Sequence, residues 1–356
     1  MKSENQRGGQ RMAILVTGGA GYIGSHTCIA LIEAGYDVVV VDNFSNSRTD
    51  AMTRVTEITG RSIPVYDLDL SNPIAVAHLF LTNTFEAVIH FAGLKSVSES
   101  VSDPLKYYSN NLSGTLVLLE AMKKFGVTNL VFSSTAAVYG IQESMPVREQ
   151  APLAPISPYG RTKLMIEMML SDLVAAQPRW SVAVLRYFNP VGAHPSGLIG
   201  EDPSGIPNNL VPYISQVAVG NLETLTVHGD DYPTPDGTCI RDYIHVMDLA
   251  SGHVKALDYV MSRHGLRPFN LGTGIGASVL EVISAFEQAS GIKIPWHIGP
   301  RRIGDAAISY ADVTRATVEL DWHPTYELVD MCRDAWRWQS NFPHGYQTHP
   351  APPVLT

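Results

Sequence analysis

The stretch SPYGRTK, residues 157–163, places a tyrosine and a lysine four residues apart, directly after a proline. Four residues make about one turn of α-helix, so Tyr159 and Lys163 would project from the same helix face. A phenol ordinarily has a pKa of about 10, but a nearby ammonium group favours the phenolate and lowers that pKa. The pair could therefore accept and return a proton, although many helices carry this spacing without any chemistry.

A glycine-rich turn is the second group of residues with chemical potential. In VTGGAGYIGSH, Gly18, Gly21 and Gly24 are spaced three apart between an apolar strand and a helix. Such glycines permit a tight turn and let the backbone approach a pyrophosphate at the helix N-terminus. Asp42 ends the next apolar run, VVVVDN, where an acid binds the adenosine ribose hydroxyls and repels a 2′-phosphate. The pattern predicts a dinucleotide site that prefers NAD to NADP.

Further candidates follow the third and fourth apolar runs. Asp69 and Leu70 are expected at the end of the third strand, where they could bracket an adenine, although an aspartate there is as often a turn former. Ala92 and Gly93 in HFAGLK leave space for a ligand at the carboxyl edge of a parallel sheet. Lys95 either contacts the cofactor or faces solvent.

The fifth run, FSSTAAVYG, ends in three consecutive hydroxyl residues, of which Thr135 is the last. One hydroxyl at that edge can bind a substrate oxygen, while the others satisfy backbone groups. His90 lies in an apolar run and is expected to be a hydrogen-bonded core histidine. The 12 histidines show no zinc-like spacing, and we expect no metal site.

The elements that must position these residues are short β-branched runs alternating with helix-length amphipathic segments. Continuous apolar strands separated by helices predict a parallel sheet covered on both faces, a doubly wound α/β fold. A long Gly- and Pro-rich loop follows Asn189, as in binding loops, and the later segments suffice for a smaller second lobe. Helices are predicted over 246–263 and 279–290.

Composition excludes several classes of protein. With 45% hydrophobic and 17% charged residues, the 356-residue chain suits a large globular core, and a net charge of −9 without a basic run argues against nucleic acid or membrane partners. The three scattered cysteines do not form a disulfide framework. The polar first residues lack the apolar core of a signal peptide, so a cytoplasmic location and flexible ends, 1–11 and 346–356, are expected.

The motifs TGGAGYIGSHT, HFAGLKSVSES, SPYGRTKLMIE, LRYFNPVGAHPSG and GTCIRDYIHVMDLA together resemble the UDP-glucose 4-epimerase family of the extended short-chain dehydrogenase/reductase superfamily. The resemblance covers about residues 12–345. It implies a Rossmann NAD-binding domain, 12–188 plus about 238–262, and a smaller α/β UDP-sugar-binding lobe, 189–237 and 263–345. It also implies a homodimer paired through the helices near 104–125 and 158–176, although the same apolar stripe is needed to cover the sheet.

The resemblance also implies roles for individual residues. Tyr159 would take the proton of the sugar 4-hydroxyl, Lys163 would lower its pKa and hold the nicotinamide ribose, and Thr135, commonly serine in the family, would bind the substrate. The implied cofactor contacts are Gly18, Gly21, Tyr22, Ile23, Gly24, Asp42, Asn43, Asp69, Leu70, Phe91, Ala92, Gly93, Lys95, Asn110, Tyr159, Lys163, Tyr187 and Phe188. The implied substrate contacts are Lys95, Thr135, Tyr159, Asn189, Asn209, Leu210, Arg241, Arg302, Asp305 and Ser309.

Some of these residues also have plainer interpretations. Arg241 could pair with its neighbour Asp242, Arg302 could be a solvated charge, and Tyr187 and Phe188 could be ordinary core aromatics. Ser309 stands where some epimerases carry a bulky tyrosine, which predicts room for a sugar with a 2-acetamido group. UDP-N-acetylglucosamine and UDP-N-acetylgalactosamine are therefore additional expected substrates.

Two other functions compete with epimerisation. A nucleotide-sugar dehydratase would need an Asp-Glu pair after the hydroxyl of the fifth strand, whereas Ala136 and Ala137 follow Thr135. A non-catalytic NAD-binding sensor would not need Thr135, Tyr159 and Lys163 in register. The sequence favours the epimerase, with bound NAD accepting and returning a hydride through a 4-keto sugar.

Overall fold

The computed structural model describes residues 12–203, 205–302 and 304–346 of the chain. The expected flexible leader and the tail beyond residue 346 lie outside this part. At the start of that tail the structure differs from expectation, because Tyr346 is buried and its ring centroid lies 4.7 Å from that of Trp338. The Pro- and His-rich composition concealed this aromatic anchor.

Seven strands form the large sheet, and neighbouring strands are parallel throughout. They are β1 (Ala13–Thr17), β2 (Val38–Asp42), β3 (Val65–Asp67), β4 (Phe85–His90), β5 (Asn129–Ser133), β6 (Ser181–Tyr187) and β10 (Gly265–Leu271). Their order is β10-β6-β5-β4-β1-β2-β3, which confirms the doubly wound α/β fold. Because the order reverses between β1 and β4, a ligand-binding crevice opens at the carboxyl ends of these strands.

Helices cover both faces of the sheet and build the second lobe. They are α1 (Tyr22–Glu33), α2 (Thr49–Thr59), α3 (Pro73–Thr82), α4 (Val97–Ser102), α5 (Pro104–Tyr108), α6 (Gly114–Phe125), α7 (Pro158–Ala176), α8 (Leu210–Ala218), α9 (Val246–Ser262), α10 (Val279–Ser290), α11 (Thr314–Leu320) and α12 (Leu328–Asn341). A π turn, Ser109–Ser113, joins α5 to α6. None of the helices in the described residues is long and apolar enough to cross a membrane.

The two faces of the sheet bury separate apolar cores. Side chains from α1, α2 and α9 pack on one face, and side chains from α3, α6 and α7 pack on the other. Every residue of β1 and β2 is buried, which explains why these strands are continuously apolar rather than alternating. The rigid sheet therefore fixes the positions of all the loops at its carboxyl edge.

The smaller lobe contains two short sheets and its own core. One sheet comprises β7 (Asn189–Val191), β9 (Ile240–His245), β11 (Gly276–Ser278) and β13 (Ile308–Ser309), and the other pairs β8 (Leu225–His228) with β12 (Trp296–Gly299). Helices α8, α10 and α12 enclose the core of this lobe.

Two strands cross the domain boundaries that the resemblance implies. In the structure β10, within the segment 263–345, pairs with β6 in the large sheet, and β9, within about 238–262, pairs with β7, β11 and β13 in the smaller sheet. Composition could not separate them, since both are short strands of mixed apolar and polar residues. We propose that β10 belongs to the dinucleotide domain and β9 to the smaller lobe, with the remaining division as expected from the sequence.

Candidate active site

A cavity of about 1640 Å³ runs along the carboxyl edge of the large sheet and into the smaller lobe. It is lined by the turn after β1 and by the ends of β2, β4 and β5 on one side, and by the loops around Asn209 and Asp305 on the other. This volume exceeds the range of about 300–1,000 Å³ usual for a single small-molecule pocket. The cavity is large enough to hold two ligands side by side.

The turn between β1 and α1 requires its glycines. Gly18 has φ +68°, and a Cβ added there would lie 2.7 Å from the Ala92 nitrogen. A Cβ on Gly24 would lie 2.4 Å from the Gly18 carbonyl oxygen. Helix α1 is capped by Gly21 without a side-chain hydrogen bond, and its first turn contains no acidic residue. Its first amides, together with Tyr22 and Ile23, thus face a cavity that suits a pyrophosphate.

Asp42 is fixed beside this turn at the end of β2. Its carboxylate accepts hydrogen bonds from the Ala20 amide (3.0 Å), the Phe44 amide (3.0 Å) and the Ser47 hydroxyl (2.8 Å). Burial raises the pKa of Asp42, while these hydrogen bonds oppose the rise. The residue lines the cavity, where a carboxylate suits ribose hydroxyls.

Asp69 and Leu70 line the same region, but they do not end β3, which stops at Asp67. Asp69 instead forms a turn, and hydrogen bonds from Ser71 are the largest cause that lowers its pKa. Its other oxygen accepts a hydrogen bond from the Asn43 amide group at 3.0 Å. The turn-former interpretation is therefore correct, and the turn also presents both residues to the cavity.

The loop after β4 borders the centre of the cavity. His90 is the expected core histidine, with its ring nitrogens 2.7 Å from the Thr17 hydroxyl and 2.9 Å from the Thr115 hydroxyl. Burial lowers its pKa to about 3, so the ring is neutral. Phe91, Ala92, Gly93 and Lys95 line the cavity, as does Asn110 from the π turn. The Lys95 ammonium donates to Glu201 at 2.8 Å across the cleft.

Tyr159 and Lys163 lie on the same face of α7, as their spacing predicts. The helix begins at Pro158, and the Ser157 side chain caps it by accepting a hydrogen bond from the Gly160 amide at 3.1 Å. Lys163 donates to the Ser133 carbonyl oxygen at 2.8 Å, while Tyr159 hydrogen-bonds with Thr135. The structure thus brings Thr135, Tyr159 and Lys163 together at the end of β5.

Burial is the main influence on the protonation of this group. Burial raises the pKa of Tyr159 to about 12, and the opposing effect comes from the Thr135 hydrogen bond rather than from Lys163. Burial also lowers the pKa of Lys163 to about 8. The lowering of the tyrosine pKa by Lys163 stays a prediction, since the ammonium donates to the Ser133 carbonyl oxygen and burial is the largest cause that shifts the pKa of Tyr159. A buried phenolate formed here would be a strong base.

Tyr187 and Phe188, at the end of β6, are both buried core residues and cavity-lining residues. The hydroxyl groups of Tyr187 and Ser133 hydrogen-bond to each other. The plain and the functional interpretations of these aromatics are thus compatible, since both residues are buried and both also line the cavity.

The expected substrate residues surround the other half of the cavity. They are Asn189, Asn209, Leu210, Arg241, Arg302, Asp305 and Ser309. The Arg241 guanidinium donates to the Ala306 carbonyl oxygen at 2.7 Å and lies 3.4 Å from Asp305. It does not pair with Asp242, whose carboxylate accepts hydrogen bonds from the amides of Thr273, Gly274 and Ala311. Arg302 is exposed at the cavity margin.

Several residues of the site carry no signal in the sequence. Asn111, in the π turn, is 3% exposed; its side chain binds the backbone of Leu94 and the hydroxyl of Thr162, which ties the loop after β4 to α7. Glu201 and Tyr346 line the cavity from segments distant in sequence. A π turn at a functional site was the signal that could have pointed to Asn111, but it is visible only in three dimensions.

Within the described ranges, no cluster of three or more His, Cys, Asp or Glu residues could hold a metal ion. The described residues fit NAD instead, since a glycine turn at an uncapped helix N-terminus, a carboxylate at the end of β2 and a buried Tyr-Lys pair meet in one cavity.

Comparisons with known proteins give a consistent result. Residues 15–335 match the family described as GDP-mannose 4,6 dehydratase. The chain is 59% identical to the UDP-glucose 4-epimerase of Bacillus subtilis over 337 residues, which cover 95% of this chain and 99% of the relative. The structure of UDP-glucose 4-epimerase from Bifidobacterium longum in complex with NAD+ and UDP is 51% identical, with a TM-score of 0.91 over 94% of this chain and 100% of that one. The UDP-Glc/GlcNAc 4-epimerase from Campylobacter jejuni is 39% identical, with a TM-score of 0.82 over 93% and 100%.

Proposed function

The chain belongs to the UDP-glucose 4-epimerases, within the family described as GDP-mannose 4,6 dehydratase, and on this basis we propose that it interconverts UDP-glucose and UDP-galactose with bound NAD. The observation that carries the proposal is the convergence of Thr135, Tyr159 and Lys163 at one end of a cavity whose other end holds the glycine turn and Asp42. A dehydratase is disfavoured, because Ala136 and Ala137 supply no acid beside Thr135.

NAD would be held by the turn of Gly18, Gly21 and Gly24, by Asp42 and by the residues that line the cavity from β4 and α7. When bound, it supplies the hydride acceptor for carbon 4 of the sugar and a positive charge near the phenol. Lys163 is mainly protonated at pH 7, since its pKa is about 8, and we propose that it holds the cofactor ribose.

Tyr159 acts as the proton acceptor for the sugar 4-hydroxyl. To accept this proton at pH 7 the phenol must first be ionised, which the positive charges of bound NAD and of protonated Lys163 would favour, and the Thr135 hydroxyl stabilises the phenolate by a hydrogen bond. Thr135 also positions the 4-oxygen of the sugar, and its methyl group narrows the site slightly. The same phenol returns the proton after the 4-keto sugar has presented its other face.

The sugar must turn over while the nucleotide stays fixed. We propose that Asn189, Asn209, Leu210, Arg241, Arg302 and Asp305 hold the nucleotide diphosphate. Arginine presents planar donors to phosphate oxygens, and Arg241 is prepositioned by Asp305 and by a backbone carbonyl oxygen. The large cavity leaves space for the hexose to rotate about its diphosphate link.

The position of Ser309 supports activity on 2-acetamido sugars. Ser309 lines the cavity, and Tyr310 does not. The Tyr310 ring lies beside Gly276 of β11, where an added Cβ would be 3.5 Å from it, so Tyr310 does not take the place of the bulky tyrosine that some epimerases carry against the hexose. We propose that UDP-N-acetylglucosamine and UDP-N-acetylgalactosamine are also substrates; the similar enzyme from Campylobacter jejuni is a UDP-Glc/GlcNAc 4-epimerase.

Proton NMR of the purified protein with UDP-galactose and then UDP-N-acetylgalactosamine tests both proposals. Conversion of UDP-galactose to UDP-glucose supports the epimerase, and failure to convert it with NAD supplied refutes it. Conversion of the acetylated sugar by the wild type, but not by Ser309→Tyr, would show that the space beside Ser309 accommodates the 2-acetamido group. Turnover of UDP-galactose alone by the wild type would exclude the acetamido proposal and leave the epimerase intact.

A homodimer and a cytoplasmic location complete the proposal. Four large apolar side chains of α5, α6 and α7 are exposed, namely Leu105 (78%), Leu116 (48%), Met165 (40%) and Met168 (60%). A second copy of the chain could cover this surface by pairing the same helices. The three cysteines are free, as expected for a reducing compartment. A monomeric mass in light scattering would contradict the dimer.

A further inference from the structure

Helix α7 holds the end of β5 at three consecutive residues. Lys163 donates to the Ser133 carbonyl oxygen, and Tyr159 hydrogen-bonds with the Thr135 side chain. Ser134, between Ser133 and Thr135, is also bound by this helix. The Ser134 hydroxyl donates to Glu167 Oε1 at 2.5 Å. Tyr159, Lys163 and Glu167 are spaced by four residues, so one helix face makes all three contacts.

Glu167 differs from the other two because it does not touch the ligand space. It is 7% exposed and is not among the residues lining the cavity, and Ser134 beneath it is fully buried. The mechanism proposed above gives neither residue a role. A buried carboxylate is costly unless it is paired and hydrogen-bonded, so its presence here needs a reason.

Arg186 on β6 supplies the opposite charge. Its guanidinium donates to both oxygens of Glu167, with Nη2 at 2.5 Å and Nε at 3.1 and 3.2 Å. Its remaining group, Nη1, donates to the Tyr139 hydroxyl and the Glu149 carbonyl oxygen. The carboxylate of Glu167 is therefore clamped between β6 and the end of β5, and it links both to α7.

We propose that Glu167 is a positioning residue of the epimerase reaction, which orients Thr135 by fixing Ser134 and supplies a negative charge one helical turn from Lys163. The orientation follows from the hydrogen bonds alone. Ser134 is bound through its amide to the Leu185 carbonyl oxygen and through its hydroxyl to Glu167, so the peptide that leads into Thr135 has no freedom to rotate. This inference rests on the proposed function.

The electrostatic part concerns the surroundings of the ammonium. Glu167 is the carboxylate that opposes the lowering of the Lys163 pKa by burial. The titratable and charged groups around this pair are Tyr159 on α7, His90 on β4, Arg186 and Tyr187 on β6, and Tyr139 and Glu149 in the segment after β5. His90 is neutral, so it adds no charge. Replacing Glu167 by a neutral residue would remove the ion-pair partner of Arg186 and the carboxylate that raises the pKa of Lys163.

Ser134→Ala tests the orientation, because it removes one link and preserves the Glu167–Arg186 ion pair. We expect kcat for UDP-galactose to fall by about tenfold, with KM within twofold and the pH profile unchanged, since a small displacement of a catalytic group is costly. Ser181→Ala is the matched control, because Ser181 is also buried and its hydroxyl has no hydrogen-bond partner among the described residues. Its kcat should equal that of the wild type.

Glu167→Gln tests the charge in the NAD-bound enzyme. The side-chain oxygen can still accept from Ser134, but the negative charge is lost. The alkaline limb of kcat should move to lower pH by about one unit, because Lys163 then loses its proton more readily. If this variant does not fold, Ser134→Ala alone decides the proposal by its split between kcat and KM.

The outcomes separate this inference from the proposed function. A wild type that does not convert UDP-galactose refutes the proposed function itself. An active wild type with Ser134→Ala equal to Ser181→Ala, or with KM changed as much as kcat, overturns the orienting role. A folded Glu167→Gln enzyme with the wild-type pH profile overturns the electrostatic role.

Discussion

Replacing Gly24 by alanine should disrupt the cofactor turn without altering any side chain that binds a ligand. Gly24 lies in the first turn of α1 and has no positive φ, so alanine would ordinarily favour the helix by up to about 1 kcal/mol. The added Cβ, however, would lie 2.4 Å from the Gly18 carbonyl oxygen and 2.8 Å from the Gly19 Cα. These are backbone atoms and cannot rotate away.

The helix must therefore retreat from the turn by roughly 0.5–1 Å, to reach ordinary contact distance. Overpacking of this kind costs about 1–3 kcal/mol, and it moves the α1 amides away from the pyrophosphate. We expect a lower free energy of unfolding in urea and at least a tenfold weaker affinity for NAD, a factor equal to about 1.4 kcal/mol.

The measurements are urea unfolding monitored by circular dichroism and titration of NAD into the stripped protein. Gly252→Ala is the control, because Gly252 is also helical and its added Cβ would crowd the side chains of Leu271 (2.9 Å) and Trp322 (3.3 Å), and none of these three residues lines the cavity. It should bind NAD within about twofold of the wild type. A Gly24→Ala protein with wild-type stability and NAD affinity would refute the reasoning from the turn geometry.

Three other predictions follow from the site and the core. Tyr159→Phe should lower kcat by about 10²–10⁴-fold while NAD and UDP still bind, and wild-type turnover would exclude the phenol as the base. Glu201→Gln removes the ion pair with Lys95 across the cleft, so NAD release after dilution should accelerate by up to about fivefold; Glu287→Gln, which breaks a surface pair elsewhere, should not change it. Stability should fall as pH drops below about 6.5, by about 2–4 kcal/mol per pH unit, because three histidines stay neutral in the fold but bind protons when unfolded. A flat free energy of unfolding between pH 6.5 and 5 would contradict this. The three histidines are His26 and His90, whose pKa values burial lowers to about 3, and His253, whose pKa burial lowers to about 4.

The parallel sheet and the glycine turn were predictable because their causes are local in sequence. Apolar runs specify buried strands, and the spacing of Gly18, Gly21 and Gly24 specifies the turn before α1. The Tyr159–Lys163 face was predictable for the same reason, since helical periodicity fixes it. The site residues proposed from family resemblance all line one cavity, but their ligand contacts remain predictions.

The partners of charged groups were not predictable, because they come from distant segments. Arg241 seemed able to pair with its neighbour Asp242, but successive residues of a strand point to opposite faces, and the guanidinium meets Asp305 instead. The rise in the tyrosine pKa was not predictable either, because burial, its largest cause, is set by the tertiary fold. Glu167 gave no signal because its significance depends on Ser134 and Arg186, which lie on two other elements.

The single face of α7 that carries Tyr159, Lys163 and Glu167 limits how the length of this chain can vary. Each residue of an α-helix advances by about 100° around the axis, so inserting or deleting one residue between Tyr159 and Glu167 would turn the later side chains away from the end of β5. The segment must keep its length even where its side chains can be exchanged, whereas the exposed loops of the smaller lobe can gain or lose residues. Helix α7 therefore fixes the spacing of the active-site side chains along the end of β5.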